Sequence, residues 1–136
     1  MSQENVDKAR EFIAAYNRRD FDAAVKDFDP EMEWVLPARQ QSDSGTGPEA
    51  ALRFFKDIDE TMEELELKPQ EFIDGGDRVA TRLRHRGRGK ISGLEIDEEL
   101  YHQVATFRNG RIVRMEYFAD WDAALQAAGV AGPGPG

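Results

Sequence analysis

The residue types that carry nucleophilic and near-neutral acid–base chemistry most often, cysteine and histidine, are scarce here, so the spacing of those present is informative. The sequence holds two histidines and no cysteine. Cysteine nucleophiles, thiolate metal sites and disulfides are therefore excluded, and acid–base work falls to imidazoles and carboxylates. His85 is the first candidate. It sits in the alternating run Arg78–Arg88, which a turn at Gly89–Gly93 joins to a second run from Leu94. A symmetric hairpin centred on Ile91 sets His85 opposite Asp97, Leu83 opposite Glu99, Thr81 opposite Tyr101 and Val79 opposite Gln103. A carboxylate facing an imidazole orients it and favours its charged form, which makes an acid–base pair. The competing reading is a cross-strand ion pair contributing ~0.2–1 kcal/mol. Glu116 is the second candidate. Inside an apolar enclosure its pKa would rise by desolvation, as a general acid or base near neutral pH requires. Its competing reading is a salt bridge to Arg82 or Arg114.

Other patterns carry less. His102 falls on the face opposite His85 and reads as structural or interfacial. Two histidines on opposite faces cannot share a metal, and no serine has a histidine base nearby. The site is expected to need neither metal nor cofactor. Gly87, Gly89 and Gly93 lack the dinucleotide spacing, and no helix follows them. Arg82, Arg84, Arg86 and Arg88 form a stripe, but the acidic run Glu95–Glu99 beside it predicts an ion-pair lattice rather than a phosphate site.

The elements that position these residues follow from periodicity. Two alternating runs within Leu94–Ala119 flank Asn109-Gly110, the strongest short-range signal for a hairpin, because a type I′ turn needs positive φ at both centres. Val6, Ala9, Phe12, Ile13 and Tyr16 recur at helical spacing after Ser2. Asp20 caps a shorter helix carrying Phe21, Ala24, Val25 and Phe28, which Asp29-Pro30 ends. Glu31–Leu36 alternates as a strand, and Pro37–Pro48 is an aperiodic loop. A third helix starts near Glu49, with Ala51, Leu52, Phe55, Ile58 and Met62 as its stripe. Leu65–Ile73 is a strand, Asp74–Asp77 a turn, and Asp120 caps a last short helix through Ala128. Helices first and strands afterwards predict an α+β fold, with helices on one face of a curved antiparallel sheet enclosing a pocket.

Bulk properties bound the partners. One domain over residues 1–128 is expected at this length, followed by a disordered Gly/Pro tail over 129–136. Net charge of −9 argues against nucleic acid or an anionic membrane surface as partner. No run approaches the ~20 apolar residues of a membrane span. The acidic start lacks the apolar segment of a secretory signal, so a cytoplasmic protein is expected.

The segments Asn17-Arg18-Arg19-Asp20, Asp29-Pro30-Glu31-Met32-Glu33-Trp34, Gly76-Asp77-Arg78-Val79 and Phe107-Arg108-Asn109-Gly110-Arg111-Ile112-Val113 together resemble SnoaL-like members of the nuclear-transport-factor-2-like (ketosteroid isomerase-like) superfamily. The resemblance runs from Glu4 to Ala128. It implies a cone-shaped, cystatin-like α+β fold with an apolar pocket, usually as a homodimer. It says little of chemistry, since one fold hosts many functions. Where ketosteroid isomerases of this fold place their Asp base, this chain has Leu36. Where they place an oxyanion tyrosine it has Phe12, and near their protonated Asp it has Gln103. Limonene-epoxide hydrolases have an Asp-Arg-Asp set, of which only the last-strand carboxylate matches, at Glu116; the others fall around Leu83 and His85. SnoaL-type cyclases pair a carboxylate with a histidine, roles open to Glu116 or Asp120 with His85.

Three functions are consistent with this reading. The first is a domain binding a small apolar molecule, lined by Phe12, Tyr16, Trp34, Leu36, Phe54, Glu99, Tyr101, Gln103 and Phe118. The second is an acid–base enzyme on an apolar cyclic substrate, cyclase-, isomerase- or epoxide hydrolase-like, using Glu116, His85 and Asp97. The third is an interaction module working through the outer sheet face. A homodimer is expected there, since Ile96, Leu100, Val104, Val113 and Met115 would otherwise face water.

Overall fold

The Asn109-Gly110 turn forms as its residues require, with φ of 54° and 78°. It joins β6 (His102–Arg108) to β7 (Arg111–Phe118) in a computed structural model that describes residues 2–37 and 44–130. The preceding elements are α1 (Ser2–Asn17), α2 (Phe21–Ala24), β1 (Phe28–Val35), β2 (Gly45–Thr46), α3 (Pro48–Thr61), β3 (Met62–Asp74), β4 (Arg78–Gly89) and β5 (Glu95–Glu98); α4 (Trp121–Ala127) follows. The sheet runs β2-β1-β7-β6-β4-β3, with β5 beside β4. Only β1 and β7 pair in parallel, so the sheet is mixed. Register shifts interrupt the β1–β7, β3–β4 and β6–β7 ladders, and such bulges bend a sheet.

Each face of the curved sheet buries its own set. The concave face carries Met32, Trp34, Leu67, Val79, Leu83, Ala105, Phe107, Ile112 and Met115, packed with Phe12, Ile13 and Tyr16 of α1 and Phe55 of α3. The opposite face is part-covered by α4, whose Ala124 and Leu125, with Ala128 just beyond, pack on Ala80 and Val104. Asp120 caps α4 by accepting from the Ala123 N–H at 3.1 Å.

The Asn17–Asp20 segment is a structural joint. The Asn17 amide donates to the Leu67 carbonyl and accepts from the Leu67 N–H, both at 2.9 Å, pairing backbone groups on the open edge of β3. Arg19 takes a positive φ of 64°, and Asp20 caps α2 through the Ala23 N–H.

Several boundaries differ from the pattern-based reading. The strand begins at Phe28, so Phe28 packs from β1 rather than from a helix, and Pro30 lies in the irregular part of that ladder. Met62 leaves α3 with extended backbone and starts β3. The expected loop holds β2 at its end, and its residues 38–43 lie outside the described residues, as do 131–136 of the expected tail. The expected single strand after Leu94 is two, because pairing on β4 passes from β5 to β6 with Glu99–Tyr101 between them.

Candidate functional site

Three neighbouring strands place one row of side chains on the concave face, and Trp34 of β1 lies in the next row, beside Met115. Thr81 of β4 lies opposite Gln103 of β6, and Gln103 lies opposite Tyr117 of β7. Trp34 of β1 meets the Tyr117 ring edge-on, with centroids 5.2 Å apart. Phe54 and Phe55 of α3 pack on Trp34 at 5.9 and 5.6 Å, and Tyr16 of α1 packs on Phe55 at 5.2 Å. Aromatic pairs at such separations add specific geometry to their apolar burial.

The row is polar at its heart. Tyr117 donates its hydroxyl proton to Gln103 Oε1 at 2.8 Å. That bond fixes the amide orientation and leaves Nε2 as the remaining donor end. Gln103 and Thr81 are fully buried and Trp34 is 1% exposed. Gln103 Nε2, Thr81 Oγ1 and Trp34 Nε1 nonetheless have no hydrogen-bond partner among the described residues. Buried polar groups are nearly always paired, so three orphans on one face of the sheet require an occupant or a cost. Burial pushes the Tyr16 phenol up to about 12, with Asp59 adding to the rise and Arg19 opposing it. Desolvation, with Tyr16 adding, raises Tyr117 well above the ordinary phenol value; the residue is half-buried, but its hydroxyl end lies deep. Burial therefore holds both phenols in their neutral forms.

Glu116 lies elsewhere. A symmetric turn would set it opposite Gln103, but a bulge between Thr106 and Phe107 of the ladder, at Val113 of β7, advances the register by one. Gln103 therefore meets Tyr117, and Glu116 meets Val104 on the opposite face. There its carboxylate accepts from Arg114 at 3.2 Å, and Arg114 also bonds Glu33. The same shift turns Met115 into the core and sends Phe118 to the α4 side.

His85 faces inward but does not meet Asp97. The turn after β4 is asymmetric by one residue, so His85 pairs with Glu98 and Asp97 pairs with Arg86. Asp97 accepts from Arg84 Nε at 2.7 Å, and that bond first holds its carboxyl below the usual range. Glu99 is likewise outside the expected pocket, accepting from Arg82 Nε at 2.8 Å. With Arg88–Glu95 these pairs form the expected ion-pair lattice.

Both imidazoles serve the gap where β4 changes partner. Leu100 N–H donates to His85 Nδ1 at 3.3 Å, and Leu83 N–H donates to His102 Nδ1 at 3.2 Å. Accepting at Nδ1 requires the neutral ring. Burial lowers His85 to about 4, against the opposing hydrogen bond with the Glu98 backbone, and His102 also lowers it. Burial lowers His102 too, although Glu99 pulls the other way. His102 stacks edge-on against Trp121, which makes it a structural group under α4.

Of the expected lining, Phe12, Tyr16, Trp34, Leu36 and Gln103 are buried within the concave side, and Phe54 and Tyr101 are half-buried beside Trp34 and His85. Phe12 packs between Phe28 and Phe55, deep in the core. Thr81 and Tyr117 join the site without having been singled out. A surface groove of about 510 Å³ beside Glu63, Glu66, Arg86 and Asp97 is open and charged and lies away from this row. Among the described residues no group of histidines and carboxylates could hold a metal ion.

A mixed curved sheet with helices over its concave face and a buried polar row defines a nuclear-transport-factor-2-like, ketosteroid isomerase-like domain. The profile of the SnoaL-like domain matches residues 9–115, and the chain belongs to that family. No curated protein matches the sequence. Among solved structures, an NTF2-like protein of unknown function from Burkholderia pseudomallei is 25% identical, with 90% of this chain and 95% of that one covered and a TM-score of 0.76. TerC, co-crystallised with polyporic acid, is 22% identical over 93% and 98%, with a TM-score of 0.76. A ketosteroid isomerase-like-fold protein from Catenulispora acidiphila, in complex with trimethylamine, is 16% identical over 90% and 92%, with a TM-score of 0.73. Among the described residues no helix is long and apolar enough to cross a membrane.

Proposed function

We propose that this SnoaL-like domain binds a small apolar cyclic molecule on its concave face, with no chemical step assigned. One observation carries the reading: the inward row Thr81–Gln103–Tyr117, with Trp34 in the next row, joins aromatic surface to unpartnered buried polar atoms and holds no carboxylate. Tyr16, Leu36, Phe54 and Tyr101 complete the proposed lining. The acid–base alternative keeps His85 on the inward face, but both its partners, Glu116 and Asp97, bond arginines elsewhere. Similar folds crystallised with polyporic acid and with trimethylamine support a ligand-holding interior.

A homodimer through the outer sheet face belongs to the same proposal, on a narrower basis than exposed apolar side chains. Val104 and Met115 are buried within the chain. Glu33, Arg114 and Glu116 remain as an alternating-charge shelf, which two-fold pairing would match to its own copy. Light scattering giving the monomer mass of 15.4 kDa at micromolar concentration refutes the dimer.

Trp121→Phe leaves Trp34 as the sole indole of the two, so its fluorescence reports the interior. Titration with the neutral apolar dye Nile red is expected to quench it saturably. Absence of any saturable change, with no co-purifying small molecule in native mass spectrometry, refutes the binding reading.

A further inference from the structure

The two histidines meet at a break in the sheet. One edge of β4 is shared by two strands, β6 along residues 78–81 and β5 along residues 85–88. On that edge residues 82–84 have no strand partner, and residues 99–101 cross beside them from β5 to β6. We propose that this break is an acid-opened hinge: the neutral rings of His85 and His102 splice it, and charging them releases β5 and the connection 99–101 from β4 while the rest of the sheet stays folded. The device does not depend on whether the interior holds a ligand.

The splice is reciprocal. Leu83 N–H, in the unpaired part of β4, donates to His102 Nδ1 at 3.2 Å, and Leu100 N–H, in the connection, donates to His85 Nδ1 at 3.3 Å. Each ring thus stands in for the carbonyl that an unbroken ladder would offer. A carbonyl accepts at any pH, whereas Nδ1 accepts only while the ring is neutral. A proton on Nδ1 sets one N–H against another. Turning the ring over sets Cδ2–H there and leaves the backbone N–H unpaired, at a desolvation cost.

What lies beyond the break is weakly held. β5 joins the sheet only through β4, and of its residues only Ile96 is half-buried. Its braces are the surface ion pairs Arg84–Asp97 and Arg88–Glu95, with Arg82–Glu99 at the connection, and such pairs contribute little. β6, by contrast, pairs on both sides and is buried along most of its length. Segments with few buried contacts open at the least cost.

The surroundings set how each ring takes a proton. Glu98 of β5 and apolar Leu67 of β3 lie opposite His85, and the Tyr101 ring meets it edge-on at 6.0 Å. Glu66 and Lys68 alternate to the other face, opposite Arg86 and Arg84. Around His102 stand Arg82 of β4, Glu99 at 3.7 Å, Asp120 before α4, Trp121 of α4 and Phe118 of β7. Burial lowers His85 to about 4, opposed by the Glu98 backbone and helped by His102. Burial also lowers His102, against Glu99 and Asp120 and with Arg82. An opened His85 returns towards 6.5, so opening takes up a proton between those values and grows more frequent as pH falls.

The test is amide exchange by NMR on the full chain at about pH 7.5 and about pH 5, corrected for intrinsic rates, with and without low urea. Opening at Leu100 is expected to rise about thirtyfold at the lower pH, the factor that a fall from 6.5 to about 4 gives there. The β5 amides are expected to open with it and to ignore low urea, since local release exposes little surface. Ala105 and Met115, buried in β6 and β7, are expected to exchange more slowly and to quicken with urea. His85→Asn, whose Oδ1 accepts at any pH, is expected to remove the rise at Leu100, and His102→Asn to weaken the pH dependence at Leu83. Leu100 exchanging at the rate of Ala105, with the same urea dependence, overturns the hinge, because release is then global unfolding. A rise that persists in His85→Asn overturns the role of the ring. Ring nitrogen shifts of the parent need no variant to fold: His85 neutral with its proton on Nε2 is expected at both pH values, and a charged ring with Leu100 still protected overturns the proposal.

Discussion

His85 makes the stability of this fold depend on pH in a window that its position defines. The ring is 6% exposed, and its Nδ1 accepts the Leu100 N–H across the gap between β5 and β6. Its pKa falls from 6.5 to about 4, first because burial penalises the imidazolium, with His102 adding to that and the Glu98 backbone opposing it. Between those two values the unfolded chain carries a proton that the folded chain refuses. Unfolding therefore takes up a proton, and stability rises with pH across the window and falls on acidification. By about pH 5 the cost from His85 alone is about 2 kcal/mol. His102 shifts in the same direction and adds to the slope. Asp97 and Glu99 are held low by Arg84 and Arg82, so their contribution is lost only at more acid pH, below the ordinary carboxylate values.

His85→Asn tests this directly. Its Oδ1 can occupy the Nδ1 position and accept from Leu100, while the titrating ring is gone. Urea unfolding followed by tryptophan fluorescence at about pH 7.5 and about pH 5 gives the stability of parent and variant at each. The parent is expected to lose about 2 kcal/mol more than the variant on acidification. Equal losses would show that the folded chain accepts the proton without penalty, and the reasoning from burial and Nδ1 acceptance would be refuted.

Three further outcomes follow from the packing. Asn17→Ala should cost about 2 kcal/mol in urea unfolding, because it strands both backbone groups of Leu67, and Asn17→Asp should cost more by setting an oxygen against the carbonyl. Val104→Arg should lower stability by more than ~3 kcal/mol and weaken the α4 contact, seen as lost helical circular dichroism, because Val104 lies beneath α4. Deleting Val113 should cost about 3 kcal/mol or more, since without the bulge Ile112 and Met115 cannot both stay inside; a change under ~0.5 kcal/mol would refute the register argument.

The larger features were legible because each rests on a local rule. Asn109-Gly110 needs its turn, Asp120 needs a backbone donor to cap, and the apolar stripe of α1 needs a sheet to cover. The candidate site was legible only in part. Trp34, Tyr16 and Gln103 declared themselves by residue type on correctly phased elements. The Ile91 hairpin is not symmetric, which displaces Asp97 and Glu99, and β7 does not alternate without interruption, which displaces Glu116 and Phe118; alternation carries any single slip to every residue beyond it. The signal for the bulge was present. Ile112 and Met115 are three apart, an odd spacing that a regular strand cannot bury on one face. Read for phase rather than for turn symmetry, the segment puts Met115 and Tyr117 inside. Nothing comparable marks the offset at Gly89–Leu94, where a six-residue connection leaves the register open and the arginine–carboxylate pairs fit several alignments.

That bulge also decides what kind of interior the chain has. In a regular β7, Gln103 would face Glu116, and a buried amide beside a carboxylate is the beginning of an acid–base site. With one residue inserted, Gln103 faces Tyr117 instead, and the carboxylate goes to Arg114 on the other side of the sheet. The exchange replaces a charge that would need a partner in the core with a phenol that donates to Gln103 Oε1. It frees the amide nitrogen for another acceptor and removes the group that would have moved a proton. The backbone phase of a single strand therefore decides whether Gln103 faces a phenol or a carboxylate.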